Sequence, residues 1–196
     1  AGRIINTLKS QYPDALNTRH SIIQMGFWPG GDRDGNPFVT AKTTLQVADA
    51  LRGSIIKCYY LDVRRLKRRL TFKGVDALLN ELEDQLYSNI FIPGNRTGLT
   101  QADILATLNK IRDILVFQHN SLFLHLVDSL INKVDVFGLH FAALDIRQDA
   151  SVHGKVWEEI ARRTDLVPAN YAELSAEEKT QLLPRVSGDL GTHLFE

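Results

Sequence analysis

The chain has 196 residues, of which 44% are hydrophobic and 23% charged, and its 23 Lys and Arg are balanced by 23 Asp and Glu. A formal net charge of zero argues against general nucleic-acid binding, which needs a basic excess or patch. The single cysteine, Cys58, excludes an intrachain disulfide and a cysteine metal site, and no apolar run approaches the ~20 residues of a membrane span. Such a chain is long enough for one domain with a substantial core, burying roughly 70% of the surface its unfolded form exposes. A reducing, cytoplasmic setting fits. The chain starts Ala1-Gly2-Arg3 and its one methionine is Met25, which leads us to expect a piece of something longer.

Residues 1–20 carry a weak helical pattern, Ile4, Ile5, Leu8, Tyr12 and Leu16, broken by Pro13. The apolar run Ile22 to Trp28 predicts a short buried strand. It leads into Pro29-Gly30-Gly31-Asp32-Arg33-Asp34-Gly35-Asn36-Pro37, a run that cannot be a helix interior, because Gly visits backbone angles other residues avoid and Pro fixes φ and removes a donor. A strand, a tight charged loop and then a helix is a common way to place side chains at the mouth of an α/β site.

Thr40 is a candidate N-cap. From there to about Leu70, Leu45, Ala48, Leu51, Ile55, Tyr59, Leu66 and Leu70 recur at helical spacing and predict a helix of roughly 45 Å. Its basic end, Arg64 to Arg69, reads either as favourable charge at a helix C-terminus on a solvated face or as a site for an anionic ligand or partner. Phe72-Lys73-Gly74 is a break. Val75, Leu78, Leu79, Leu82 and Leu86 mark a second helix, and Pro93–Gly98 a loop. Thr100 with Asp103 resembles a helix start, and the apolar positions from Leu105 to Leu130 predict a third, long helix packed antiparallel to its neighbours.

At Val136 the pattern changes. Phe137 to Arg147 is short and evenly apolar, which predicts a fully buried strand ending in charge. Residues 152–163 read as helical, and Ser175 with Glu178 is a capping box for a last helix ending near Pro184. The predicted fold class is mostly α, a helical bundle with a few short buried strands. The predicted organisation is a strand and glycine-rich loop in 1–40, long helices in 41–133, the strand with its charged end in 134–150, and C-terminal helices in 151–196.

Candidate chemistry concentrates in two places. Asp32-x-Asp34-x-Asn36 resembles the opening of a calcium loop, but the sixth and twelfth positions are Pro37 and Thr43 where that loop needs Gly and Glu. Neither GxGxxG nor GxxxxGKS/T occurs. Of six histidines, none has HExxH spacing; His140 falls inside the predicted strand, where a core role outweighs a functional one. Asp145-Ile146-Arg147-Gln148-Asp149 lies where catalytic groups emerge from a parallel barrel. Arg147 suits a phosphate or carboxylate clamp, being planar, bidentate and permanently charged; an ion pair with Asp145 or Asp149 is the structural alternative.

Together these clusters resemble a known family. Phe27-Trp28-Pro29 to Thr40 looks like the W-x-G-G-D-R-D-G-N-P-x-V-T signature of phosphoenolpyruvate carboxylase. Phe137-Gly138-Leu139, Leu144 to Asp149, and His153 resemble that family's F-G-L and L-D-I-R-Q segment with its following histidine. Pro29, Ala150 and Val152 depart from the residues frequent there. The resemblance implies a mostly helical enzyme around an eight-stranded barrel, of which this chain is a single internal fragment with at most two strands and a helical insertion. It implies addition of bicarbonate to phosphoenolpyruvate, giving oxaloacetate and phosphate through carboxyphosphate and an enolate, with Mg²⁺ or Mn²⁺, in a cytoplasmic tetramer.

By the same resemblance Arg147 binds the substrate phosphate, and Trp28, Asp32, Arg33, Asp34 and Asn36 line the barrel mouth. Arg33 joins Arg147 as a catalytic candidate, with Asp145, Gln148 and His153 in support. The family's T-A-H-P-T-E, G-Y-S-D-S and F-H-G-R-G-G segments do not occur in this sequence. The expectation is therefore that the isolated chain is inactive and binds no metal by itself, the remainder of its own chain being its partner. The alternative is a helical interaction module, or an anion-sensing one with its ligand at Arg64, Arg65, Arg68 and Arg69.

Overall fold

The computed structural model describes residues 24–92 and 98–188. The pattern of residues 1–20, Ile22 and Ile23, the loop residues 93–97, and residues 189–196 lie outside the described residues. The chain divides into two compact units, one formed by residues up to Gly30 with Thr40–Asp145, the other by Gly31–Val39 with residues from Ile146 onward.

The first unit is built on helices α1 (Ala41–Lys67), α2 (Val75–Phe91), α3 (Gln101–Gln118) and α4 (Leu124–Phe137). α1 packs on α2 and α4, and α3 packs on α2 and α4. Two of the starts are fixed locally. Thr40 caps α1 by accepting from the Thr43 amide at 3.3 Å, and Thr100 caps α3 in a reciprocal box with Asp103. Asp103 is held below the usual carboxylate range by the hydrogen bonds it accepts from Thr100. Gly74, with φ +88°, turns the chain into α2.

The predicted apolar stripes form the core. Ile55, Tyr59, Val63, Leu66, Leu79, Leu82, Leu86, Leu108, Ile111, Leu115, Val127, Leu130 and Val134 are buried together, each large aliphatic side chain contributing about 1.5–3 kcal/mol of hydrophobic stabilisation. The stripe of α1 begins later than expected. Its first turns, through Ser54, bury only Thr44, and Leu45 is 68% exposed. At the basic end of α1, Arg64 and Lys67 pair with Glu83, Arg65 with Asp62 at 3.2 Å, and Asp62 also receives Lys133 at 2.7 Å.

The long third helix is two helices. Asn120, Ser121 and Phe123 adopt positive φ between α3 and α4, so the helical hydrogen-bond ladder cannot pass through them. His119 caps α3 and stacks on Phe72 at 4.4 Å between ring centres, rather than sharing a helix with His125.

The buried strand over 137–147 is also corrected. α4 runs to Phe137, Gly138 (φ +52°) ends it, and a turn leaves His140 exposed. Strand β2 is Ala143–Leu144, parallel to β1 (Gly26–Phe27), with Gly26 opposite Ala143 and Phe27 opposite Leu144. In each strand one residue is exposed and the other half-buried, because among the described residues the two-stranded sheet has no third strand to cover it.

The second unit contains α5 (Ala150–Arg163) and α6 (Ala176–Leu182), with single 3₁₀ turns at Tyr171–Glu173 and Leu183–Arg185. Ile160, Ala161, Val167 and Tyr171 form its core, ringed by Trp157, Leu166, Leu174, Leu182, Leu183 and Val186. Ser175 caps α6 reciprocally with Glu178, as its spacing predicts. No helix among the described residues is long and apolar enough to cross a membrane.

Candidate functional site

Gly31, Asp32 and Arg33 of the glycine loop meet Arg147 in the second unit. The Arg147 amide donates to the Gly31 carbonyl at 2.9 Å, and the Arg33 amide donates to the Arg147 carbonyl at 2.9 Å. Asp32 and Arg147 thereby form a parallel bridge. Main-chain groups make these links.

The loop turns on itself. Asn36 donates its amide to the Arg33 carbonyl at 3.3 Å, and its Oδ1 accepts from the Phe38 amide at 3.1 Å, an Asx turn that Gly35 permits with φ +66°. Asp34, Asn36 and Phe38 are exposed, while Asp32 and Arg33 are half-buried. Asp32 Oδ1 is shielded from solvent and has no hydrogen-bond partner among the described residues. A buried acceptor of this kind is costly unless something donates to it.

Past the bridge, the chain enters α5. Arg147 is exposed and Gln148 half-buried. Gln148 Oε1 accepts from the Asp149 amide at 3.0 Å. Asp149 is the N-cap of α5: its Oδ1 accepts from the Ser151 amide at 2.8 Å and from the Ser151 hydroxyl. Hydrogen bonds from Ser151, side chain first, hold this carboxyl below its usual range, with a small contribution from His153. His153 is exposed on the first turn of α5.

Trp28 and Asp145 belong to the first unit. Trp28 is 53% exposed, just past β1, and the Asp145 amide donates to the Phe27 carbonyl at 2.9 Å, just past β2. That unit also has an open cleft of about 640 Å³, lined by Met25, Leu51, Gln101, Phe137, His140 and Phe141 among others. His140 and the motif residues Phe137, Gly138 and Leu144 line it, while the proposed catalytic and substrate-binding residues do not.

Three contacts escaped the sequence reading. Thr44 donates its hydroxyl to the Gly30 carbonyl at 2.8 Å, Tyr59 to the Gly138 carbonyl at 2.7 Å, and Gln101 Nε2 to the Val134 carbonyl at 2.9 Å. The trace available for Thr44 and Gln101 is a polar residue at a position that tertiary packing shields, which periodicity alone does not separate from a surface residue.

Fold and loop together define a predominantly helical protein whose short parallel strands end in charged segments. The family model described as Phosphoenolpyruvate carboxylase matches residues 2–96 and 92–188. The chain belongs to the phosphoenolpyruvate carboxylase family. It is 31% identical over 187 residues to a phosphoenolpyruvate carboxylase of Aeromonas hydrophila subsp. hydrophila, an alignment covering 82% of this chain and 21% of that protein. It is 29% identical over 231 residues to one of Thermosynechococcus vestitus, covering 92% and 23%. The chain thus spans about a fifth of the length of the curated relatives it matches.

Proposed function

We propose that the whole protein is a carboxy-lyase that adds bicarbonate to phosphoenolpyruvate, releasing phosphate and oxaloacetate. The observation that carries this is the pairing of Arg33 and Arg147 main chains in a chain of this family, which sets two guanidinium-bearing residues on adjoining segments. Two such cations suit the phosphate and carboxylate of phosphoenolpyruvate and the charge that develops as phosphate is transferred to bicarbonate. In this reading Arg147 and Arg33 are the catalytic side chains. Trp28, Asp32, Asp34 and Asn36 contribute to the substrate surface, and Asp145, Gln148 and His153 support it.

The family reading brings Mg²⁺ or Mn²⁺. Among the described residues no group of three or more His, Cys, Asp and Glu side chains is arranged to hold a metal ion. As a set these residues therefore do not fit the metal. The rest of the polypeptide, a tetrameric assembly and a cytoplasmic setting belong to the same proposal.

The chain by itself is expected to be inactive. An oxaloacetate assay with bicarbonate, Mg²⁺ and phosphoenolpyruvate checks this; clear turnover by these 196 residues would overturn it. The reading as an interaction or anion-sensing module at the end of α1 is disfavoured by the acidic partners that Arg64, Arg65 and Lys67 already have. Calorimetric titration separates the two: phosphoenolpyruvate binding that needs Arg147 supports the substrate site, and binding that needs Arg68 and Arg69 supports the module.

A further inference from the structure

Three aromatic rings lie together and open to solvent where α1 packs on α2. Tyr87 and Phe91, one helical turn apart on α2, have ring centres 4.8 Å from each other, and Tyr60 of α1 lies 6.0 Å from the first and 5.8 Å from the second. Tyr87 and Phe91 are each 47% exposed, and Tyr60 is half-buried. Rings that touch one another and still show half their surface to water form a patch, unlike apolar residues scattered singly. Tyr and Phe are enriched at the centres of protein interfaces, where they bury much area for few ordered torsions.

The charges beside the rings say what covers them. α2 contains no Lys or Arg, and its Glu81 and Asp84 are exposed in the turns before Tyr87. From Arg52 onward α1 has one carboxylate, Asp62, which Arg65 and Lys133 already hold. Arg68, the C-cap of α1, is exposed two turns beyond Tyr60. None of Arg68, Glu81 and Asp84 has an ion pair among the described residues. Lys67 pairs with Glu83 while Tyr60 touches Phe91, so the two helices run antiparallel, and Arg68 and Glu81 stand at the same end of the patch on different helices. The aromatic strip therefore has a basic edge on α1 and an acidic edge on α2. Such a surface complements itself. A two-fold axis along the groove between the helices lays α1 of each copy over α2 of the other, ring on ring and basic edge on acidic edge.

We propose that this face is a self-association surface whose occupant is a second copy of the chain, with Tyr60, Tyr87 and Phe91 at its centre and Arg68 of each copy opposite Glu81 and Asp84 of the other. The surface adds to the proposed activity and does not depend on it.

Sedimentation equilibrium of the chain from about 1 µM to about 500 µM tests this, and the unmodified chain passes from monomer to dimer across that range. Phe91→Ser, at an exposed position, weakens the dimer about tenfold or more. Arg68→Glu and Glu81→Arg each weaken it about tenfold, and the two together in one chain restore it, because opposite charges then meet again. A chain that stays monomeric throughout means that another part of the polypeptide or a different protein covers the face, and it overturns the proposal. A dimer that Phe91→Ser leaves unchanged, or a double reversal no tighter than either single one, overturns it as well. Should a variant not fold, the unmodified chain decides by NMR. Its Tyr87 and Phe91 amide resonances then shift with concentration while those of α3 stay fixed, and shifts that are absent or spread evenly over the chain overturn the proposal.

Discussion

The main-chain amide of Arg33 donates to the main-chain carbonyl of Arg147 at 2.9 Å, joining two segments that lie more than a hundred residues apart. Because the link uses backbone atoms, either side chain can be removed without cutting it.

Replacing Arg147 by Ala in the whole enzyme is expected to lower kcat/KM more than tenfold, or ~2 kcal/mol of transition-state binding. Steady-state kinetics with phosphoenolpyruvate check this. An unchanged kcat/KM returns Arg147 to a structural role.

Gly30 and Gly26 make a paired test of the loop's stem. Gly30→Ala must bear a positive φ and a collision with Val47, and should destabilise the chain by ~1–3 kcal/mol. Gly26→Ala meets nothing within 4 Å and should stay within about 0.5 kcal/mol of the unmodified chain. Urea denaturation of both variants reads the difference, and equal midpoints would remove the steric argument.

Tyr59 gives a pH signature. Burial, and after it the negative influence of Cys58, Asp135 and Asp62, pushes its phenol above the ordinary value of 10.0. The folded chain then holds this proton more tightly than the unfolded chain does. Stability from this group is intact below pH ~10 and declines as pH rises toward the folded-state value, since there only the unfolded chain releases the proton. Tyr59→Phe loses the bond to Gly138, costing about 1 kcal/mol at neutral pH, and should flatten the alkaline decline. Denaturation curves collected from pH 8 to 11 check both effects; a decline as steep in the variant as in the unmodified chain would assign it to other groups.

Asp149 has the opposite sign. Its carboxyl is held low in the folded chain, so its contribution to α5 is present above the unfolded value of ~3.9 and is lost as pH falls through the lower folded one. Asp149→Ala should fray the first turn of α5 and speed amide exchange at Ser151 and Val152 at neutral pH, with α3 unaffected. Unchanged exchange at those two amides would mean that the cap does not hold the turn.

The reciprocal caps at Thr40, Thr100 and Ser175 were legible because a cap is a bond between residues three apart. The core faces of α2 and α3 were legible because burial repeats with the helix period. The break at 119–123 was not, because Asn120, Ser121 and Phe123 take positive φ without a glycine or proline to announce it. The apolar run after Val136 misled for a related reason. Phe137 closes a helix, Phe141 packs beside it at 5.7 Å with positive φ, and only Ala143–Leu144 pair as a strand. A two-residue strand is too short to show alternation.

By itself the sequence determined the helical scaffold, its caps and the two charged motifs that carry the family likeness, all of which depend on residues close together along the chain. Tertiary structure alone decided that Asp32 should lie beside Arg147, that Gly26 should face Ala143, and that a threonine of α1 should spend its hydroxyl proton on Gly30. The first two are pairings between backbone groups that every residue carries, and the third ends on a backbone carbonyl, so side-chain pattern does not encode them; the folded path of the chain selects which groups meet.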